Sequence, residues 1–179
     1  MSGIAVTAWI LGTLAVCGGF LAAGAPETVR RGLERYPRSV WPGRILAAVD
    51  LIWAAHAINL MHLGGFDPWK VHLYWLAPAC IVLAVLYLDE LLSVRALGGL
   101  LLLAAGPMLN AARWHPSAWR LIIPVIAYCW ISFGLLWLLE PWWFRRMAQR
   151  VRSLGVIRAA GIAKIAIGIG LILLALLVY

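Results

Sequence analysis

Three ionisable side chains fall inside long apolar runs, and their types set the chemistry open to this chain. Asp50, His56 and Lys164 are each flanked on both sides by aliphatic and aromatic residues. A carboxylate or an ammonium at bilayer depth is costly and normally pairs or faces a polar cavity. Asp50 follows Arg44 by six residues, and Lys164 follows Arg158 by six. The two charges therefore hold matching places with opposite sign, and we expect them to face one another as an intramembrane ion pair. His56 near mid-run offers an imidazole nitrogen able to ligate haem iron or chlorophyll magnesium. A bis-histidine haem needs a second histidine at similar depth, but His62, His72 and His115 belong near the outer surface. Trp53, His56, Asn59 and His62 recur every third residue and line one side of a helix. Hydrogen bonding of His56 inside the bundle or to a neighbouring subunit is the plainer expectation.

Other constellations are weaker. His62, Asp67, His72, Asn110 and His115 could meet at the outer face, where histidine with carboxylate suits a transition metal. Their spacing matches no ligand motif, so we expect no metal site. Cys17, Cys80 and Cys129 lie in three separate runs without a Cys-x-x-Cys pair, which supports neither disulfides nor zinc. Asp89, Glu90 and Glu140 end runs beside arginines, as structural acids do. No nucleophile with its base, glycine-rich phosphate loop or metalloprotease helix is present, and no enzyme is expected.

The elements that must position these groups are membrane helices. The chain is 64% hydrophobic and 12% charged over 179 residues, outside soluble globular usage. Six runs reach the ~20 apolar residues a helix needs to span a bilayer: roughly 4–24, 44–63, 71–89, 95–113, 121–140 and 156–178. They fill the chain, so 1–179 reads as one integral membrane domain: an all-α bundle of six helices in three hairpins. Met1-Ser2-Gly3 lacks a positive n-region, so the first run is expected to be retained as a span rather than cleaved. Pro78, Pro107 and Pro124 interrupt the third, fourth and fifth runs. Eight of the eleven tryptophans fall near run ends, where aromatic belts form.

The basic residues reveal a duplication. Pro26, Arg30, Arg31 and Arg35 recur 115 positions later as Pro141, Arg145, Arg146 and Arg150. Each set sits between two apolar runs, so repeat A (about 4–63) and repeat B (about 121–178) flank a central hairpin at about 71–113. Copies inserted the same way up are related by an axis along the membrane normal. Arginines concentrate in loops one, three and five, which places both termini outside the cytoplasm. The net charge of +8 then faces an anionic inner leaflet rather than nucleic acid. Within each basic segment the arginines alternate with an apolar stripe: Val29, Leu33 and Tyr36 in the first, Phe144, Ala148 and Val151 in the second. Two short amphipathic helices in the cytoplasmic interface are expected, with Arg30, Arg31, Arg35, Arg145, Arg146 and Arg150 on lipid headgroups. In the last run Ala159, Ala163, Ala166 and Gly170 form a small-residue stripe suited to close helix packing.

From Tyr128 to Tyr179 the chain resembles the small two-helix bacterial inner-membrane proteins of unknown function. Those carry a helix, then proline, an aromatic and paired basic residues with methionine, then a glycine-containing helix. Pro141-Trp142-Trp143-Phe144-Arg145-Arg146-Met147, followed by Gly161 to Tyr179, is the matching string. The resemblance implies bacterial inner-membrane residence and no activity. The leading functional expectation is a non-catalytic accessory or scaffold subunit, without cofactor, packed among other subunits of a respiratory or photosynthetic assembly. A small-solute or proton-coupled transporter using Asp50, His56 and Lys164 is the first alternative. A chlorophyll- or haem-binding subunit using His56 is the second.

Overall fold

The computed structural model describes residues 2–87, 91–151 and 153–179, and every regular element among them is helical. Eight α-helices follow in order: α1 (Gly3–Gly24), α2 (Pro26–Arg35), α3 (Val40–Leu60), α4 (Leu73–Tyr87), α5 (Leu92–Ala112), α6 (Ile122–Leu139), α7 (Trp142–Arg150) and α8 (Leu154–Leu177). Short 3-10 segments at Tyr36–Arg38, Gly64–His72 and Ala118–Leu121 lead into α3, α4 and α6. Among the described residues five stretches are long and apolar enough to cross a bilayer: α1, α3, α5, α8, and Ala118–Leu139, which contains α6. The run expected over 71–89 is described as far as Tyr87. It opens as a 3-10 turn and continues as α4, 15 residues long. Asp89, Glu90 and Arg152 lie outside the described residues.

Local sequence explains the breaks. Ser2 caps α1 by accepting from the Ala5 amide, and Pro26 starts α2 where a missing N–H leaves no bond unmade. Pro124 sits in the first turn of α6 and so does not interrupt that helix, whereas Pro78 and Pro107 lie inside α4 and α5. The order long, short, long recurs as α1–α2–α3 and α6–α7–α8. In α2 and α7 the arginines Arg31, Arg35, Arg145, Arg146 and Arg150 are exposed, while Val29, Leu33, Phe144 and Ala148 are at least half-buried. Glu27 and Arg31 form an i,i+4 bridge on α2, at 3.0 Å.

The chain divides into two compact units. The first comprises Met1–Arg35, Ala104–Ile131 and Arg145–Tyr179. Its core joins Ile4, Ala8 and Leu11 of α1 to Met108, Ile123 and Leu171. α1 and α8 pack antiparallel along their lengths: a Cβ on Gly12 would lie 2.8 Å from the Gly168 carbonyl oxygen, and one on Gly19 would lie 2.7 Å from that of Gly161. Both glycine pairs are seven residues apart, two turns of helix, so each pair falls on one face. At the end of this seam the Ser2 hydroxyl donates to the Tyr179 carbonyl oxygen at 2.9 Å, and the Tyr179 hydroxyl donates to the Trp119 carbonyl at 2.7 Å. The two ends of the chain therefore lie at the same end of the α1–α8 pair.

The α1–α8 seam uses a different line of α8 from the expected stripe. Ala159, Ala163 and Ala166 are exposed, and nothing lies within 4 Å of where a Cβ on Gly170 would stand. The buried line is Ile157, Gly161, Gly168, Leu171 and Ala175. In lipid, apolar burial gives no preference for one helix face over another, and closeness of backbone approach decides. Glycine permits the nearer approach, and α1 supplies matching glycines only opposite that line.

The second unit comprises Tyr36–Leu103 and Ser132–Phe144. Here α5 meets α6 through another glycine pair: a Cβ on Gly98 would lie 2.7 Å from the Gly134 carbonyl oxygen, and one on Gly134 would lie 2.8 Å from that of Gly98. Phe144 is buried beneath Tyr36 and Trp137, with ring centroids 6.0 and 5.1 Å away.

Candidate functional site

The site within the second unit begins where the chain enters α3. The Tyr36 hydroxyl donates to the Ser93 carbonyl oxygen at 3.0 Å, and the Ser93 hydroxyl donates back to the Tyr36 carbonyl at 2.7 Å. Ser93 is 1% exposed. Gly43 lets α3 press on the same residue, since a Cβ there would stand 2.7 Å from the Ser93 amide nitrogen. From this crossing α3 and α5 run side by side in the same direction. Gly43, Ala47 and Asp50 are the buried residues of α3, at helical spacings of four and three. Ala96 and Gly99 answer them from α5.

Asp50 is the consequence of that register. It is the eleventh of 21 residues in α3 and 8% exposed. Neither carboxylate oxygen has a hydrogen-bond partner among the described residues. Gly99 leaves it room: a Cβ at that position would meet Oδ2 at 2.9 Å. Beside it opens a cleft of about 450 Å³ lined by α3, α5 and Leu138 of α6. Apart from Asp50 and Arg95 its walls are alanine, glycine and leucine. The Nε of Arg95 is also buried, without a hydrogen-bond partner among the described residues.

Burial pushes the Tyr36 hydroxyl above its ordinary 10.0, and the nearby Asp50 adds to the rise when ionised. A raised value means the folded chain holds this proton more tightly than the unfolded one. The stability it lends is complete below pH 10 and is lost as pH climbs through the raised value. Replacing Tyr36 by Phe removes one hydrogen bond, and should cost ~1 kcal/mol near neutral pH. It should also flatten the alkaline arm of the unfolding curve, read by circular dichroism in detergent.

The other sequence-derived residues separate. Lys164, the eleventh of 24 residues in α8, is exposed. Asp50, its expected partner, belongs to the second unit and Lys164 to the first. His56 is exposed on α3, six residues beyond Asp50. Between α3 and α4 Asp67 bonds Lys70 at 2.6 Å and accepts from the Leu63 amide, and these contacts hold its carboxyl below the usual carboxylate range. His115 accepts from the Ser117 amide at 3.3 Å. Among the described residues no three of His, Cys, Asp and Glu gather as metal ligands.

Sequence reasoning passed over Tyr36, Ser93, Arg95 and Gly99 as a set. The adjacent Gly98-Gly99 in an apolar run was the available signal, because Gly98 meets α6 and Gly99 meets Asp50. No known protein family, characterised protein or solved structure matches the chain.

Proposed function

We propose that this chain is a non-catalytic accessory subunit of a larger assembly in the bacterial inner membrane. The observation that carries the reading is the exposure of Lys164 at the middle of α8. An unshielded lysine at the centre of a membrane helix costs roughly 2.5–3.5 kcal/mol. A neighbouring subunit offering an acid or a polar cavity removes that cost. Around Lys164 the exposed Ala159, Ala163 and Ala166 give a second helix a shallow surface on which to close. His56, exposed on α3, is a further polar group at spanning depth for a partner to cover.

Topology fits the same reading. A chain whose ends share one membrane face crosses an even number of times, so α4 serves as a sixth, short crossing beside the five long ones. With the arginines of α2 and α7 at the inner headgroups, both ends lie outside the cytoplasm. The recurrence of basic segments supports an origin by duplication.

Extraction in a mild detergent is expected to yield a particle much larger than 19.7 kDa, with reproducible partners. Lys164→Leu should release the chain from it while helix content is unchanged. A lone monomer from the unaltered chain contradicts the reading. The cleft at Asp50 favours a second reading, solute binding, developed next.

A further inference from the structure

We propose that the cleft between α3, α5 and α6 binds a small zwitterion with an apolar body, its ammonium group on Asp50 and its anionic group on Arg95. The cleft is of ligand size at about 450 Å³. Its hydrocarbon walls carry one acid and one base, and the buried Asp50 oxygens and Arg95 Nε have no hydrogen-bond partner among the described residues. A buried ionisable group is ordinarily paired. Here the two are set apart along α5. Asp50 packs on Gly99, and Arg95 is four residues earlier, about one 5.4 Å turn away. A ligand that carries an ammonium and an acid group on one apolar body satisfies both.

The remaining neighbours narrow the ligand. Tyr36 is the other titratable group close enough to feel the Asp50 charge, Arg44 lies six residues earlier on α3, and α6 presents only Leu138 to the cleft. A simple cation is repelled by Arg95, and a simple anion leaves Asp50 unanswered. A lipid headgroup does not reach the middle of α3, where Asp50 stands. On binding, the O–H bond of Asp50 breaks, the carboxylate takes the ligand ammonium, and one proton leaves to water for each ligand bound. The inference is independent of the partner reading, which rests on the opposite-signed residue of another helix.

The test uses the full chain in detergent micelles and a hydrophobic carbodiimide, which adds to protonated carboxyls in apolar surroundings. Modification of the Asp50 peptide is followed by mass spectrometry, with Asp50→Asn as the assignment control. Leucine is compared with 3-methylbutylamine and 4-methylpentanoate, which keep its hydrocarbon but lack the acid or the amine. Leucine should slow labelling about tenfold and each half-molecule less than about twofold. Leucine should also release about one proton per chain in weak buffer. Arg95→Gln should keep the labelling and lose the leucine protection. Absence of Asp50 labelling, failure of leucine to protect, equal protection by the amine alone, or protection that survives Arg95→Gln would each overturn the proposal.

Discussion

Replacing Gly168 by leucine should remove about 3 kcal/mol from the stability of the chain in detergent, the upper end of what overpacking a close contact costs. The reason is geometric. The new Cβ would stand 2.7 Å from the Gly12 carbonyl oxygen and 2.7 Å from a methyl of Val16. The oxygen belongs to helix backbone and cannot turn aside, so α1 and α8 must part along the whole seam. Gly170, two residues further on, is the control: nothing lies within 4 Å of its Cβ position, and leucine there should change stability by less than about 0.5 kcal/mol. Adding Gly12→Leu to Gly168→Leu should cost much less than Gly12→Leu alone, because the contact has already been lost. Thermal unfolding of the four variants measures all three statements. Equal effects at 168 and 170 would show that α8 packs through its alanine face after all.

The second large effect has the opposite sign. Asp50→Leu should stabilise the folded chain by about 2 kcal/mol, the cost of burying a polar group without a hydrogen bond as read from mutational data. Both Asp50 oxygens are buried and unpartnered, so their removal breaks nothing. The adjoining cleft of about 450 Å³ takes the extra methyl groups. Gly99→Ala should destabilise the natural chain, since the new Cβ meets Oδ2 at 2.9 Å. The same change should be harmless in Asp50→Ala. A carboxyl retained at such a cost serves something other than folding. A loss of stability in Asp50→Leu, measured by denaturant titration, would mean that Asp50 has a partner in the folded chain.

The helices were largely legible from residue types because a bilayer asks for one property, apolar length, and α1, α3, α5 and α8 supply it. The two short basic helices were equally plain, since proline before the segment and arginines out of phase with the apolar residues specify start, length and sides. Packing was less legible. The stripe Ala159, Ala163, Ala166 and Gly170 has the right periodicity, and so does Gly161 with Gly168. Only the matching spacing of Gly12 and Gly19 on α1 distinguishes them, and that comparison reaches across the whole chain. Asp50 was recognisable as a costly group from its surroundings in sequence. Its neighbours Gly99 and Arg95 were not, because the α3–α5 register is set by Gly43 at Ser93, a contact between small residues that leaves no periodic mark.

Topology is where the reading is most exposed to test. In a cysteine-free background, Arg31→Cys, Arg146→Cys and Trp114→Cys would each be treated in intact cells with a membrane-impermeant thiol reagent. Trp114, 86% exposed between α5 and α6, should label at once. Positions 31 and 146 should label only after the membrane is opened. Labelling of 31 and 146 from opposite faces would contradict an even number of crossings with both arginine helices on the inner side.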